Sequence, residues 1–510
     1  MADIAIPSGR LTDILQRVRS DSLIRNSLYI MSSTVSTAGL GYMYWVIAAH
    51  VFAQQDVGVS SAVVSMCTTI SLLTYLGPSA MLIEQLPRSE RSPEWTKNLY
   101  RVCSATAIAT CVVTAAIAPV ILISHNYRAF YTGPSSLLIA LAAAGAMTLV
   151  NMLGTAFVAA RRASRLLVMQ TLVSVTKLLL LFPLAHAGVI GLVDTWVISS
   201  LIGVAVGVCW LVPQMGLGRQ ARYRSHRRAD ALQSERQGSR RRARHRRGRA
   251  LPDRTYMRRL VGQHLTSVGG MVTPLLLPLL VLARLGAASN AEFYVTWMMG
   301  SIFFMVSPSV STAVFAEGVR VGTELSEEVF KALRMIALLL TPAIIATIIG
   351  GRVVLRIFGA SYSKAGYELL VVLAISAIPD AVSTVAVSIW RVDRRLGYSA
   401  ALNLGILVMA LASAWVLMPR LGINGAGIAW GGAQLVGAIA GLPAYNQVRR
   451  HVKRSVFSRR GHSRGSVMQE CTHYGNVGVT VISSLHEARA AAVQRERHRH
   501  RVLKVNSSDE

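Results

Sequence analysis

Apolar residues run through this chain in blocks long enough to cross a bilayer, about 20 residues each, and short polar turns separate them. In the first half the blocks cover 25–51, 57–83, 102–124, 134–160, 166–186 and 188–211. In the second they cover 263–283, 291–316, 332–350, 367–390, 400–418 and 422–445. The pattern predicts an all-α polytopic membrane protein with about twelve transmembrane helices. Before the first block, Leu11, Ile14, Leu15, Val18 and Leu23 recur at near-helical spacing among Asp, Arg and Gln. That segment, 1–24, reads either as a short helix on the inner membrane surface or as a solvated leader.

One stretch breaks the pattern. Residues 218–260 read GRQARYRSHRRADALQSERQGSRRRARHRRGRALPDRTYMRRL. A block of like charge stays solvated and does not enter hydrocarbon, so this is a loop between two membrane regions. Arg-rich loops stay on the cytoplasmic side, and that orients every span. The turns expected on the same side carry Arg88, Arg91, Lys97 and Arg101, then Arg161, Arg162 and Arg165, then Arg320, Lys331 and Arg334, then Arg391, Arg394 and Arg395. The opposite turns are short and poor in base, except for 351–366, which holds Arg352, Arg356 and Lys364 against the rule. Both termini are then cytoplasmic and the protein sits in the cell (cytoplasmic) membrane. The expected organisation is a cytoplasmic N-terminal segment 1–24, a six-helix lobe 25–213, a basic linker 214–262, a second six-helix lobe 263–446, and a basic, disordered tail 447–510.

Composition supports the membrane reading: 52% of the 510 residues are hydrophobic and 15% are charged. The net charge of +29 lies in the loop, the cytoplasmic turns and the tail, where anionic lipid headgroups explain it better than nucleic acid does. Four of the five cysteines lie in apolar runs and Cys471 in the tail, with no disulfide or metal pattern.

The second half repeats the first. Gly188-Val-Ile-Gly-Leu-Val-Asp-Thr-Trp196 returns as Gly422-Ile-Asn-Gly-Ala-Gly-Ile-Ala-Trp430, and Gly203 and Gly207 return as Gly437 and Gly441, all 234 positions on. Weaker echoes pair Arg161-Arg162 with Arg394-Arg395, and Pro78 to Glu84 with Pro308 to Glu317. Six spans per repeat give both halves the same orientation, so the lobes are parallel and related by an axis along the membrane normal, with a cavity expected between them. The Gly-x-x-x-Gly pairs read first as sites of close helix packing.

Motif chemistry is sparse. There is no phosphate-binding loop, no Asp-x-Asp motif and no metal spacing of histidines, so an enzyme is not expected and no cofactor is implied. Ionisable residues inside spans are the informative ones, because burying them in lipid is costly. Lys177 falls near the middle of the fifth span and Asp380, following Pro379, near the middle of the tenth. Asp194 lies in the outer part of the sixth, Glu84 and Glu317 at the cytoplasmic ends of the second and eighth, and His264 at the start of the seventh. Each has a plain structural alternative: Lys177 can snorkel or pair with an acid, and the carboxylates at span ends can be solvated. Lys177, Arg25 and His264 are the candidates for binding an anionic substrate; Asp380, Asp194, Glu84 and Glu317 are those for coupling or gating.

Leu76-Gly77 through Leu86-Pro87-Arg88, Ala156-Phe157-Val158-Ala159-Ala160-Arg161-Arg162-Ala163, Leu355-Arg356-Ile357-Phe358-Gly359-Ala360-Ser361-Tyr362 and Gly425-Ala426-Gly427-Ile428-Ala429-Trp430 carry a resemblance to a known family. Through them the chain resembles the multidrug/oligosaccharidyl-lipid/polysaccharide exporter superfamily, and within it the bacterial O-antigen and capsule type flippases. The resemblance implies translocation of a polyprenyl-diphosphate-linked oligosaccharide for polysaccharide biosynthesis by alternating access, with polysaccharide assembly proteins as partners. The basic linker is longer than that family leads one to expect, and the tail has no family character. Three alternatives stand beside this reading: a cation-coupled multidrug antiporter of the same superfamily, one common type of which has a carboxylate in its first span where 25–51 has none; a lipid-linked peptidoglycan precursor flippase, normally with further spans and a strongly cationic first helix; and a non-transporting membrane scaffold for a glycan assembly complex.

Overall fold

In a computed structural model the described residues are 22–88, 95–123, 125–213, 254–321 and 325–462. Twelve long helices run through them: α1 Ser22–Val51, α2 Gln54–Arg88, α3 Trp95–Leu122, α4 Pro134–Ala159, α5 Ala163–Leu179, α6 Gly188–Val206, α7 Arg254–Leu285, α8 Ala287–Val321, α9 Leu325–Arg356, α10 Ala360–Val392, α11 Leu396–Leu421 and α12 Ile423–His462. A π-helical turn, Gly207–Leu211, extends α6. Ten of the helices are long and apolar enough to cross a membrane. The other two are α1, which is rich in Ser, Thr and Gly, and α5, which has 17 residues. The chain is a multi-pass membrane protein with two six-helix lobes.

The residues form two compact units, Met1–Asn446 and Gln447–Glu510. In the second, the helical backbone continues to His462, within the segment that the sequence assigns to a disordered tail. The N-terminal surface helix and nearly all of the basic linker lie outside the described residues, although α7 already begins at Arg254.

The turns preserve the repeat. Arg161 and Arg394 are the non-glycine residues with positive φ among the described ones, at 54° and 58°. Each follows a helix whose end is closed in the same way: Arg162 N–H donates to the Phe157 carbonyl at 2.8 Å and Arg395 N–H to the Trp390 carbonyl at 2.8 Å. A left-handed residue closing the last turn is the usual way to satisfy terminal carbonyls. Gly188 and Gly422 match as well, at φ 52° and 57°.

Within the first lobe α2 and α4 are central. Hydroxyls link them to α3 through Thr74–Thr110 at 2.7 Å, Thr110–Thr148 at 3.1 Å and Thr148–Ser71 at 2.9 Å. Small hydroxyl residues join helices in lipid because their backbones can approach and their polar atoms need partners. In the second lobe α9 is peripheral: 17% of its most apolar stretch is buried, against 78% for α2. Leu338, Ile349 and Val353 on its outer surface are exposed, as a lipid-facing helix requires.

The glycine pairs pack as expected. A Cβ on Gly203 would press on Val173, and one on Gly437 on Ile406. The basic turn that breaks the charge rule is much shorter than the sequence suggests, because α9 runs to Arg356 and α10 starts at Ala360. Arg352 is therefore on a helix, with its guanidinium 4.6 Å from the centre of the Tyr367 ring.

Candidate functional site

The two lobes meet at one end of the bundle, where α1 passes to α2 and α7 to α8. Gln54 donates to Glu292 at 3.0 Å and to the Ala288 carbonyl at 3.2 Å. Asn290 reaches back to the Gly58 carbonyl at 2.7 Å and to Ser61 at 3.2 Å, and Asn126 donates to the Ala283 carbonyl at 2.9 Å. Deeper in, Tyr42 donates to the Met298 carbonyl at 2.9 Å, and the rings of Trp45 and Tyr294 meet edge to face at 4.7 Å. The hydrophobic core continues across this seam, with Leu279 and Leu282 of α7 packed among Val59, Val63 and Phe130.

Lys177 lies against this region. The sequence puts it at mid-span, but α5 stops at Leu179, so the lysine occupies the last helical turn. There the negative end of the helix dipole favours a cation. Lys177 is buried, with its ammonium 3.6 Å from the centre of the Trp196 ring and 4.9 Å from that of Tyr44. Both rings are fixed: the Trp196 indole donates to the Tyr44 hydroxyl at 3.1 Å, which also bonds Thr195 at 2.8 Å. Aromatic faces stabilise a desolvated cation by up to about 2 kcal/mol, and among the described residues Lys177 pairs with no carboxylate. An ammonium held on rings keeps its hydrogen-bond donors for an anion. Trp196 and Tyr44 then continue through Trp45 to Tyr294 of the second lobe.

The repeat is not chemically symmetric. Trp430, the equivalent of Trp196, packs on Trp297 and Phe304 at 5.4 Å each, and its buried indole N–H has no acceptor among the described residues.

Asp380 lies in the middle of α10 and is buried, with Oδ2 unpartnered among the described residues. Near it Ser383 donates to Gln434 of α12 at 2.8 Å. Helices α8 and α10 run side by side in one direction, in contact at Thr296–Gly366 and Gly300–Leu373. Seven residues, about two turns, beyond Gly300 and Leu373 come Ser307 and Asp380, each on the face of its helix that makes that contact. Ser307 and Ser311 are buried with hydroxyls that find no partner among the described residues. Buried polar atoms without partners are rare in folded proteins, and a cluster of them marks a place for a proton, a cation or water. Both serines escape a reading of sequence because isolated serines in a span are ordinary.

The remaining candidates are elsewhere. Arg25 is exposed near the start of α1; it is 19 residues before Tyr44, roughly 28 Å along the helix at 1.5 Å per residue. His264 lies early in α7, at the end remote from the seam, with Nδ1 unpartnered. The structure thus does not bring Arg25 or His264 to Lys177. Asp194 is half-buried on α6, beside Thr195 and Trp196. The side chains of Glu84 and Glu317 lie outside the described residues.

No family profile and no curated protein sequence matches this chain. Solved structures do. A lipid II flippase MurJ in an inward closed conformation superimposes with a TM-score of 0.60 at 12% identity, over 82% of this chain and 87% of that one. An inward-facing multidrug resistance MATE family transporter of the MOP superfamily does so with 0.54 at 14% identity, over 84% and 96%. The same kind of transporter in its outward-facing conformation gives 0.50 at 14%, over 85% and 96%. The chain has the fold of these transporters.

Proposed function

We propose that this protein is a transporter that flips a polyprenyl-diphosphate-linked oligosaccharide across the cell membrane by alternating access between its two lobes. Lys177 carries the reading: a buried cation, balanced by ring faces and not by an acid, beside the seam where the lobes part. A diphosphate or acidic sugar would draw the ammonium off Trp196 and replace a cation–π contact with charge-assisted hydrogen bonds, which are stronger. With the Arg-rich linker on the cytoplasmic side, the seam closes the outer end and the conformation is inward-facing. Arg25 and His264, at the opposite end, then act before Lys177, as an entry site for the headgroup. The likeness to a lipid II flippase supports a lipid-linked substrate.

Asp380 favours the second reading, a cation-coupled multidrug antiporter. Its buried carboxylate oxygen, without a partner among the described residues, suits proton or sodium exchange, and Ser383, which bonds both the Asp380 carbonyl and Gln434, lies one turn on; either substrate class fits such coupling. Asp380→Asn keeps the shape and removes the exchangeable charge. It is expected to slow uphill transport at least tenfold while protein level and thermal stability hold, as followed in proteoliposomes with an imposed ion gradient. Unchanged gradient dependence would remove Asp380 from coupling.

Lipid extracts of cells lacking the gene separate the two readings. A complete polyprenyl-diphosphate-linked repeat unit should accumulate, with loss of the surface polymer, and its mass identifies the glycan. Normal surface glycan with increased drug sensitivity would move the protein to the antiporter class.

A further inference from the structure

The second lobe carries a cavity of about 350 Å³ between α11 and α12. Leu402, Ile406, Met409, Val436 and Gly437 line it, and Trp390 and Tyr398 close the end nearest the α10–α11 turn. Its size is at the low end for a ligand site. The α5 and α11 turns match with an offset of 233 (Arg394 against Arg161), so the cavity residues Ala401 and Gly405 stand where the first lobe has Val168 and Leu172. On α12, where the offset is 234, Ala440 stands where α6 has Val206. Three of the lining residues are thus smaller than their first-lobe counterparts.

The cavity lies on the side of α11 away from α7. Leu396 and Asn403 of α11 pack on Gly262 and Gly269 of α7, and Asn403 donates to the Thr266 carbonyl at 2.8 Å. At 100° per residue, Gly405 lies half a turn round α11 from that face. The opening is therefore on the flank of the lobe, at the level of the hydrocarbon.

At its closed end the chemistry changes. Trp390 is buried, its indole N–H has no acceptor among the described residues, and its ring lies 5.6 Å from Tyr398. Arg391, Arg394 and Arg395 follow at once and are exposed, with Asp393 the acid among them. Aromatic residues with a polar edge, next to arginines, are the pattern of a membrane interface.

We propose that this cavity is a binding site for a resident anionic phospholipid, with one acyl chain in the groove and its headgroup phosphate held by Arg391, Arg394, Arg395 and the Trp390 indole. A lipid in transit would need its headgroup at the seam, and the α10–α11 turn lies at the opposite end of the bundle from the α7–α8 turn. The charge of the turn selects an acidic lipid over a zwitterionic one.

The test uses the full chain, purified in detergent and analysed by native mass spectrometry after exchange with phosphatidylglycerol or phosphatidylcholine. Wild type should retain one phosphatidylglycerol at least fivefold more than phosphatidylcholine. A Cβ on Gly405 meets nothing within 4 Å, so Gly405→Phe should fold and fill the groove, cutting retention about tenfold. Changing the three arginines to glutamine should leave binding but equalise the two lipids. Equal retention by Gly405→Phe, no preference in wild type, loss of the preference by neither variant, or retention of a polyprenyl lipid alone would each overturn the proposal. The outcome does not depend on which substrate the lobes transport.

Discussion

Lys177→Ala is expected to abolish rescue of a strain lacking this gene, with the lipid-linked substrate accumulating as it does in the deletion itself. The expected loss follows from what the ammonium does at the seam. A hydrogen bond to a charged group contributes about 1.5–3 kcal/mol, a factor of roughly 10 to 100 in affinity at 1.4 kcal/mol per tenfold. The variant should insert and accumulate normally, because it removes a buried charge whose neighbours are rings and leaves no unpaired acid behind. Lys177→Arg tests the same point from the other side. It keeps the charge and the affinity for a ring face, so partial rescue is expected, and protein level by immunoblot is the control. Full rescue by Lys177→Ala at normal level would make the lysine a structural cation that only closes the end of α5.

Gly58→Ala should destabilise closure of the seam. Gly58 of α2 faces the main chain of α8, and a Cβ there would overlap the Ala287 carbonyl, which cannot rotate away as a side chain could. Asn290 binds the Gly58 carbonyl itself at 2.7 Å, so the two helices cannot separate without also breaking that bond. Forcing one extra carbon into a tight contact costs typically 1–3 kcal/mol, enough to shift a two-state equilibrium by roughly 5- to 150-fold. Spin labels at the exposed positions Ala53 and Ala288 should report a longer distance or a second, longer population in Gly58→Ala. Under the proposed alternating access transport should fall in parallel, since the closed seam would be one of its two states. An unchanged distance distribution would mean that the approach of Gly58 to Ala287 is not needed for closure.

Much of the architecture follows from local sequence because lipid leaves the backbone few choices. With no water to satisfy its amides, an apolar run of about 20 residues must be a helix. The span count, the two lobes and the glycine register of α6 and α12 are therefore legible by eye. Helix ends are less so. Whether the chain leaves α5 at Leu179 or runs on to 186 depends on how turns pack against neighbouring helices, and hydropathy carries no record of that. The short α9–α10 turn was hidden for the same reason: arginines at helix ends look like a loop when only charge is counted.

The site divides the same way. A lysine or an aspartate in a span stands out in any sequence, because its burial must be compensated, and Lys177 and Asp380 are both buried in the fold. What compensates them is tertiary. Tyr44 is 133 positions from Lys177 and Trp196 is 19, and no spacing rule joins them. Ser307 and Ser311 acquire meaning only from the parallel course of α8 and α10, and Ala401 and Gly405 only from the cavity that α12 closes with them. Sequence alone determined that this protein crosses the membrane repeatedly, because runs of apolar residues leave the chain no other solvent. The tertiary structure decided which end closes and which rings hold the cation, because those depend on contacts between residues far apart in the chain.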